Sequence, residues 1–376
     1  MRYLPRHFVP LALALAAMVL ALGCGSEPIV VGFMGTLEGK FSDLGVQGRN
    51  GATLAMEEVN AAGGVAGRQL VLKAVNDGGE DASSRAAVQQ LAGLGVVAII
   101  GPMTSSMAAA AQPEAKAKGL VMVSPTVSSS LFSGMDDNFF RVIPTGTTWS
   151  GSLARLCLAN GVRRAATVSD LANAPFALPQ AEVFIASFMA GGGEAVEDIR
   201  VDTTDLRSWA GVVARIAASR AEAVYVSLSA RDLALLAREL RLSGSKSPIY
   251  SAMWGYTREI LQVGGRSVEG IVFTVGYDDN NPLPAFQDFK QRYQKRFGHA
   301  PSFAACYGYE AVQVLVRALR ETKGSAAGLP DVLKGLGPLD GVQGSLRLDE
   351  FGDVERPYFL VTIRGQEFVT LREVHE

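Results

Sequence analysis

Histidine is nearly missing from this chain, with three in 376 residues. Cysteine is equally scarce, and neither charge sign dominates: 35 Lys and Arg stand against 37 Asp and Glu. Three cysteines cannot staple a disulfide-dense scaffold. Two of the histidines, His299 and His375, lie in the body of the chain without a neighbouring ligand set, which argues against a His/Cys metal site. The even charge balance gives no clustered basic surface, so nucleic acid is not an expected partner. No G-x-S-x-G nucleophile elbow occurs. The glycine-rich stretch from Gly32 to Phe41 misses the spacing of both nucleotide-loop motifs. Ser243-Gly244-Ser245-Lys246 matches S-x-x-K but follows a helix end without companion motifs, and reads as a solvated turn. Acidic pairs at Asp136-Asp137 and Asp278-Asp279 sit beside turn residues and read the same way. Nothing here assembles a catalytic site, so no enzyme and no cofactor is expected. What is present is apolar bulk. The chain is 48% hydrophobic and 19% charged, too apolar for disorder and long enough for two domains.

The N-terminus carries Arg2, Arg6 and His7, followed by the uncharged apolar stretch 8–22. Basic flank plus short apolar run predicts a secretory signal peptide over 1–23, too short for a lasting membrane span. The run ends Ala21-Leu22-Gly23-Cys24, which resembles a bacterial lipoprotein lipobox. That resemblance implies a lipidated Cys24 anchoring the protein to a bacterial membrane, in the periplasm or on the outer face. Cys157 and Cys306 lie within apolar helical patterns. They read as small buried hydrophobes, with a disulfide as the alternative in an oxidising compartment.

From Pro28 on, apolar runs alternate with helical patterns. The runs cover 29–34, 70–75, 96–100 and 120–123, then 165–169, 196–201, 223–228, 248–251 and 270–275. Their unbroken β-branched character suits strands buried on both faces of a parallel sheet. Between them, Trp209, Val212, Val213 and Ile216 form a helical stripe, as do Leu233, Leu236 and Leu240, and Val312, Leu315, Val316 and Leu319. This alternation predicts an α/β fold of two doubly wound, Rossmann-like lobes, with a break near Phe140 to Thr145. A ligand would then bind between the lobes, at the carboxyl ends of the strands.

Particular residues sharpen this. Val31-Gly32-Phe33-Met34-Gly35-Thr36 is followed by Gly39-Lys40-Phe41-Ser42-Asp43-Leu44-Gly45, then Gly51-Ala52-Thr53-Leu54-Ala55 and Val59-Asn60-Ala61-Ala62-Gly63-Gly64. Ile99-Ile100-Gly101-Pro102-Met103-Thr104-Ser105-Ser106 and Met122-Val123-Ser124-Pro125-Thr126 continue the series, and Asp349-Glu350-Phe351-Gly352-Asp353 closes it. In order and spacing, from Ile29 to the end, the chain resembles type I periplasmic binding proteins, the substrate-binding proteins of branched-chain amino-acid (Leu/Ile/Val-type) ABC transporters.

The resemblance implies two lobes, 28–142 plus 275–350 and 143–274 plus 351–376, joined by a three-stranded hinge. It also implies a monomer that closes on a small amino acid or related carboxylate and hands it to an ABC permease. A ligand-sensing module for a membrane receptor, and a binder of amine-free aromatic or aliphatic carboxylates, are the alternatives. Carried over by position, the lobe-one ligand residues are Ser105, Thr126 and Ser128, with Leu44 as an apolar wall. In lobe two the sequence departs from the family. Where a Tyr-Gly pair is usual, Phe176 offers an aromatic ring without the hydroxyl; Ser229 lies near the place of a second tyrosine. Met253 and Trp254 occupy the stretch that often holds an acid for the ligand ammonium. Asp170 is the nearest alternative acid.

Overall fold

The computed structural model describes residues 27–374. The expected signal peptide, Cys24 and His375 lie outside the described residues. Two parallel-stranded bodies account for most of the chain.

The first body begins with β1 (Ile29–Gly35), whose run Ile-Val-Val-Gly-Phe-Met-Gly is buried almost throughout. Burial on both faces places it inside the sheet. Its neighbours are β2 (Leu70–Asn76), β3 (Ala98–Ile100), β4 (Val121–Ser124) and β5 (Phe139–Arg141), in the order β2-β1-β3-β4-β5, all parallel. Helices α1 (Ser42–Ala61), α2 (Asp81–Gly93) and α3 (Ser105–Ala117) make the crossovers. The second body has β6 (Arg164–Asp170), β7 (Glu194–Val201), β8 (Ala223–Ser227), β9 (Ile249–Ser251) and β10 (Val272–Val275). Helix α4 (Trp149–Ala159) leads into β6, and the crossover helices are α5 (Ala174–Ala190), α6 (Ala210–Ala218), α7 (Ala230–Leu242) and α8 (Arg258–Gly264).

After β10 the chain returns to the first body. Helix α9 (Pro284–Phe297) and the long α10 (Phe303–Glu321) pack on α1, followed by α11 (Leu329–Gly335) and a small hairpin, β11 (Leu339–Gly341) and β12 (Gly344–Leu346). It then crosses once more. β13 (Tyr358–Arg364) and β14 (Glu367–Val374) join the second sheet antiparallel, in the order β14-β13-β10-β9-β8-β6-β7.

The nine expected strands all form, with ends moved by a residue or two. Three features were not read as strands. The stretch read as a break holds β5, a three-residue edge strand. The hairpins β11–β12 and β13–β14 also lie outside the runs used to find strands: β11 and β12 are only three residues each and charges interrupt β14, whereas β13, an apolar run from Tyr358 to Ile363, was missed. Cys157 and Cys306 are free and buried, so the disulfide alternative is not realised. Burial pushes the Cys157 thiol up to about 12.

The α1–α10 contact requires glycine. A Cβ on Gly51 would sit 1.8 Å from the Ala305 carbonyl oxygen, and one on Gly308 2.3 Å from the Gly48 carbonyl oxygen. Without those side chains the helix backbones touch and the first body closes.

The chain passes between the bodies at three places: 142–148, 276–283 and 347–357. Arg141, 1% exposed, ties the first to the third. Its Nε and Nη2 donate to Asp353 Oδ1 at 2.8 and 2.5 Å, and its Nη1 donates to the Ser129 carbonyl at 2.7 Å. Trp149 stacks on Tyr358 at 5.1 Å. Tyr307 donates its hydroxyl to the Gly276 carbonyl. Arg356 meets Glu310 at 2.7 Å, a contact with the geometry of an ion pair rather than of an aligned hydrogen bond.

Candidate functional site

The polar wall of the cleft comes from the turns that follow β3 and β4 of the first body. After β3 the chain turns at Gly101, where φ is +120° and a Cβ would lie 2.2 Å from the Met34 carbonyl oxygen. Only glycine fits there. The turn delivers Thr104 as the cap of α3, its hydroxyl accepting from the Met107 N–H at 3.4 Å. The helix begins at Ser105 and runs on to Ala117. After β4, Ser124 donates to the Pro102 carbonyl at 2.8 Å and accepts from the Val127 N–H at 3.2 Å, welding the second turn to the first. Thr126 donates to the Met103 carbonyl at 2.5 Å. Ser128 is 1% exposed, and its hydroxyl has no partner.

The second body supplies side chains rather than backbone. The short turn Leu171–Asn173 brings in Asn173, whose Oδ1 accepts the Ser106 N–H of α3 at 3.0 Å across the cleft. Phe176 stands on the first turn of α5. Met253 and Trp254 come from the turn Met253–Gly255 after β9. The Trp254 ring meets Phe176 edge-on at 6.2 Å and Phe41 of the first body at 6.0 Å.

Together these residues line one cavity. Ser105, Thr126, Ser128, Leu44, Phe176, Met253 and Trp254, all singled out from the sequence, face it. Met103, Thr104, Asn173 and Phe303 complete the wall, and no lining residue is ionisable. The space is narrow: about 20 Å³ is open to the centre of a water-sized sphere, room for roughly one water.

Asp170 and Ser229 lie elsewhere. Asp170 accepts from the N–H groups of Ala172 and Thr203 and from the Thr203 hydroxyl, all within the second body. Burial raises its carboxyl pKa against the pull of those bonds. Ser229 caps α7, accepting from the Asp232 N–H and donating to Asp232 Oδ2. Both serve a contact the sequence did not reveal. Lys40 of the first body reaches across to Asp232 Oδ1 at 2.9 Å and to the Thr203 carbonyl at 2.7 Å. So Asp170 and Ser229 hold the receptors of an inter-body ion pair and do not touch the cavity.

A second, open cavity of about 1340 Å³ lies along the crossings. Lys334, Arg347, Asp349, Glu350 and Arg356 put both charge signs on its wall.

A family model described as "Periplasmic binding protein" matches residues 28–367. "Leu/Ile/Val-binding protein homolog 3" of Brucella melitensis is 27% identical over 353 residues, covering 93% of this chain and 94% of that one. Among solved structures, a leucine binding protein, LivK, from Thermotoga maritima superposes with a TM-score of 0.84 at 21% identity, covering 92% of this chain and 98% of its own. A solute binding protein of an ABC transporter from R. palustris, in complex with benzoate, gives 0.84 at 20% identity, covering 92% and 96%. The branched-chain amino acid transporter substrate binding protein LivJ from Streptococcus pneumoniae, in complex with isoleucine, gives 0.83 at 22%, covering 92% and 98%. These relatives are binding proteins, not enzymes.

Proposed function

The chain belongs to the periplasmic binding protein family, and on that premise we propose that it is the solute-binding lipoprotein of an ABC importer. The ligand is a small amino acid or related carboxylate held in the cleft. The two lobes are 28–142 plus 275–350 and 143–274 plus 351–376, and the three crossings act as the hinge. Cys24 carries the lipid anchor outside the cytoplasm. The monomer, closed on its ligand, docks on a membrane permease.

One observation carries this reading: the N-terminus of α3 and the unpartnered Ser128 hydroxyl face Trp254 and Phe176 across a single inter-lobe cavity. A helix N-terminus favours an anion, and the opposed rings favour an apolar body. Isoleucine and benzoate, bound by two structural neighbours, are both small carboxylates of this kind. With about 20 Å³ open, the lobes must part to admit such a molecule. Its contacts with both lobes then favour the closed form by their difference in affinity for the two states.

Thermal unfolding tests this. The protein is stripped of carried-over ligand by partial unfolding and scanned against amino acids, aromatic and aliphatic carboxylates, amides, polyamines and nucleosides. At about 1,000 times its dissociation constant a ligand adds roughly 4 kcal/mol, a rise of several degrees in midpoint. A rise with amino acids or carboxylates is the expected result. No rise across the whole panel would remove the solute-binding reading.

A further inference from the structure

An α-amino acid brings two charges into the cleft, and the wall answers only one. The carboxylate has the dipole of the N-terminus of α3, whose Ser106 and Met107 N–H groups already have acceptors, and the Ser128 hydroxyl. The ammonium has no acid, because no cavity-lining residue is ionisable. Asp43, next to Leu44, does not line the cavity, and the lobe-two acids nearest in sequence are engaged elsewhere. Asp170 accepts three hydrogen bonds inside lobe two, and Asp232 pairs with Lys40. Glu259 faces Arg231 at 3.8 Å.

The neutral polar groups point the same way. Asn173 must turn its oxygen to the Ser106 N–H, since a backbone N–H requires an acceptor. What its amide has left for the cleft is therefore N–H, which suits an anion and opposes a cation. Thr126 gives its proton to the Met103 carbonyl and keeps lone pairs, a neutral acceptor without countercharge. Trp254 offers a ring face, which attracts a cation more weakly than a carboxylate does. A buried ammonium left in this setting is strongly disfavoured.

Resting on the cleft as the ligand site, we propose that it takes monocarboxylates that lack an amine and carry an apolar body of about one ring, and that it discriminates against the matching α-amino acids. Asn173 is the specificity-determining residue. Its amide donors stand where an amino-acid binder needs an acid. Trp254, Phe176, Met253 and Phe303 enclose the apolar body.

Matched pairs test the inference by isothermal titration of the purified, stripped protein. The pairs are 4-methylpentanoate against leucine and 3-phenylpropanoate against phenylalanine, with benzoate and benzamide added. In the pair that binds, the amine-free acid is expected to be at least tenfold tighter than the amino acid, and benzoate tighter than benzamide. An amino acid that binds as tightly as its acid, or tighter, overturns the inference and leaves the solute-binding reading standing. No binding by any of the six overturns the inference together with the carboxylate reading. Asn173→Asp keeps the acceptor for Ser106 and replaces the donor edge by a charge. It is expected to move the acid-to-amino-acid ratio at least tenfold toward the amino acid. An unchanged ratio, with both ligands weakened alike, would reduce Asn173 to a structural role.

Discussion

The two walls of the cleft are built in different ways. The lobe-one wall rests on two turns fixed by buried hydrogen bonds. Ser124 joins its two turns, Thr126 holds Met103, and the Arg141 guanidinium grips the carbonyl of Ser129 next to the free Ser128 hydroxyl. The lobe-two wall is a set of side chains on short helical turns, Asn173, Met253 and Trp254, with Phe176 beside them. Rings steady it, one of them Phe41 from the opposite lobe. On the proposed ligand site, the difference would separate two tasks. Fixed backbone offers dipoles to a charged end common to many ligands, while side chains set which body and which second charge are accepted.

The largest expected effect breaks the rigid wall at its foundation. Gly51→Ala puts a methyl into the Ala305 backbone, where neither helix has a side chain that can yield. Urea unfolding should show a loss of about 3 kcal/mol or more. A loss confined to tenths would mean that α1 and α10 can part freely. Trp254→Ala strikes the other wall. Removing a buried ring from the ligand body should weaken binding about 10- to 100-fold, with titration as the readout. Unchanged affinity would detach lobe two from recognition.

Lys40→Met tests the strap between the walls. It leaves Asp232, 3% exposed, without its cation. Closure should weaken by about 1–2 kcal/mol, roughly tenfold in ligand affinity. Small-angle scattering should also find more of the open form.

The smallest effect is one of pH, at the rim where the walls meet. Burial, Asp43 of lobe one and Asp232 together raise the Glu259 carboxyl to about 7, with Arg231 opposing. Between the ordinary value of 4.5 and about 7, the folded chain therefore holds a proton that the unfolded chain has released. Stability falls as pH rises through that window. Glu259→Gln should match the wild type near pH 4 and exceed it at pH 8. A shift of this size corresponds to roughly 3 kcal/mol, which solvent reaching the half-buried Glu259 carboxyl reduces to about 1 kcal/mol. Urea midpoints across pH give the check, and a gap that does not grow with pH would contradict it.

The same contrast explains what could be read from sequence. The strand ends before Ser105, Thr126 and Ser128 are plain in the apolar pattern, and the family resemblance carried the three residues over by position. The structure puts them and Leu44 around the cavity. Lobe two needs the direction of each side chain, which a strand end does not dictate. Phe176, Met253 and Trp254 point into the cavity, while Asp170 turns inward to Thr203 and Ser229 folds back on Asp232. Lys40 and Asn173 went unread because their partners are remote, 163 residues away at Thr203 and 67 at Ser106. The free cysteines required geometry too, since spacing does not determine pairing.

A crystal structure with the carboxylate that gives the largest thermal shift tests the central claim most directly. The expected density lies between the N-terminus of α3 and Trp254, with Ser128 Oγ in hydrogen-bond contact with the ligand carboxylate. Ligand found instead in the charged cavity along the crossings, beside Arg347 and Tyr358, would contradict it.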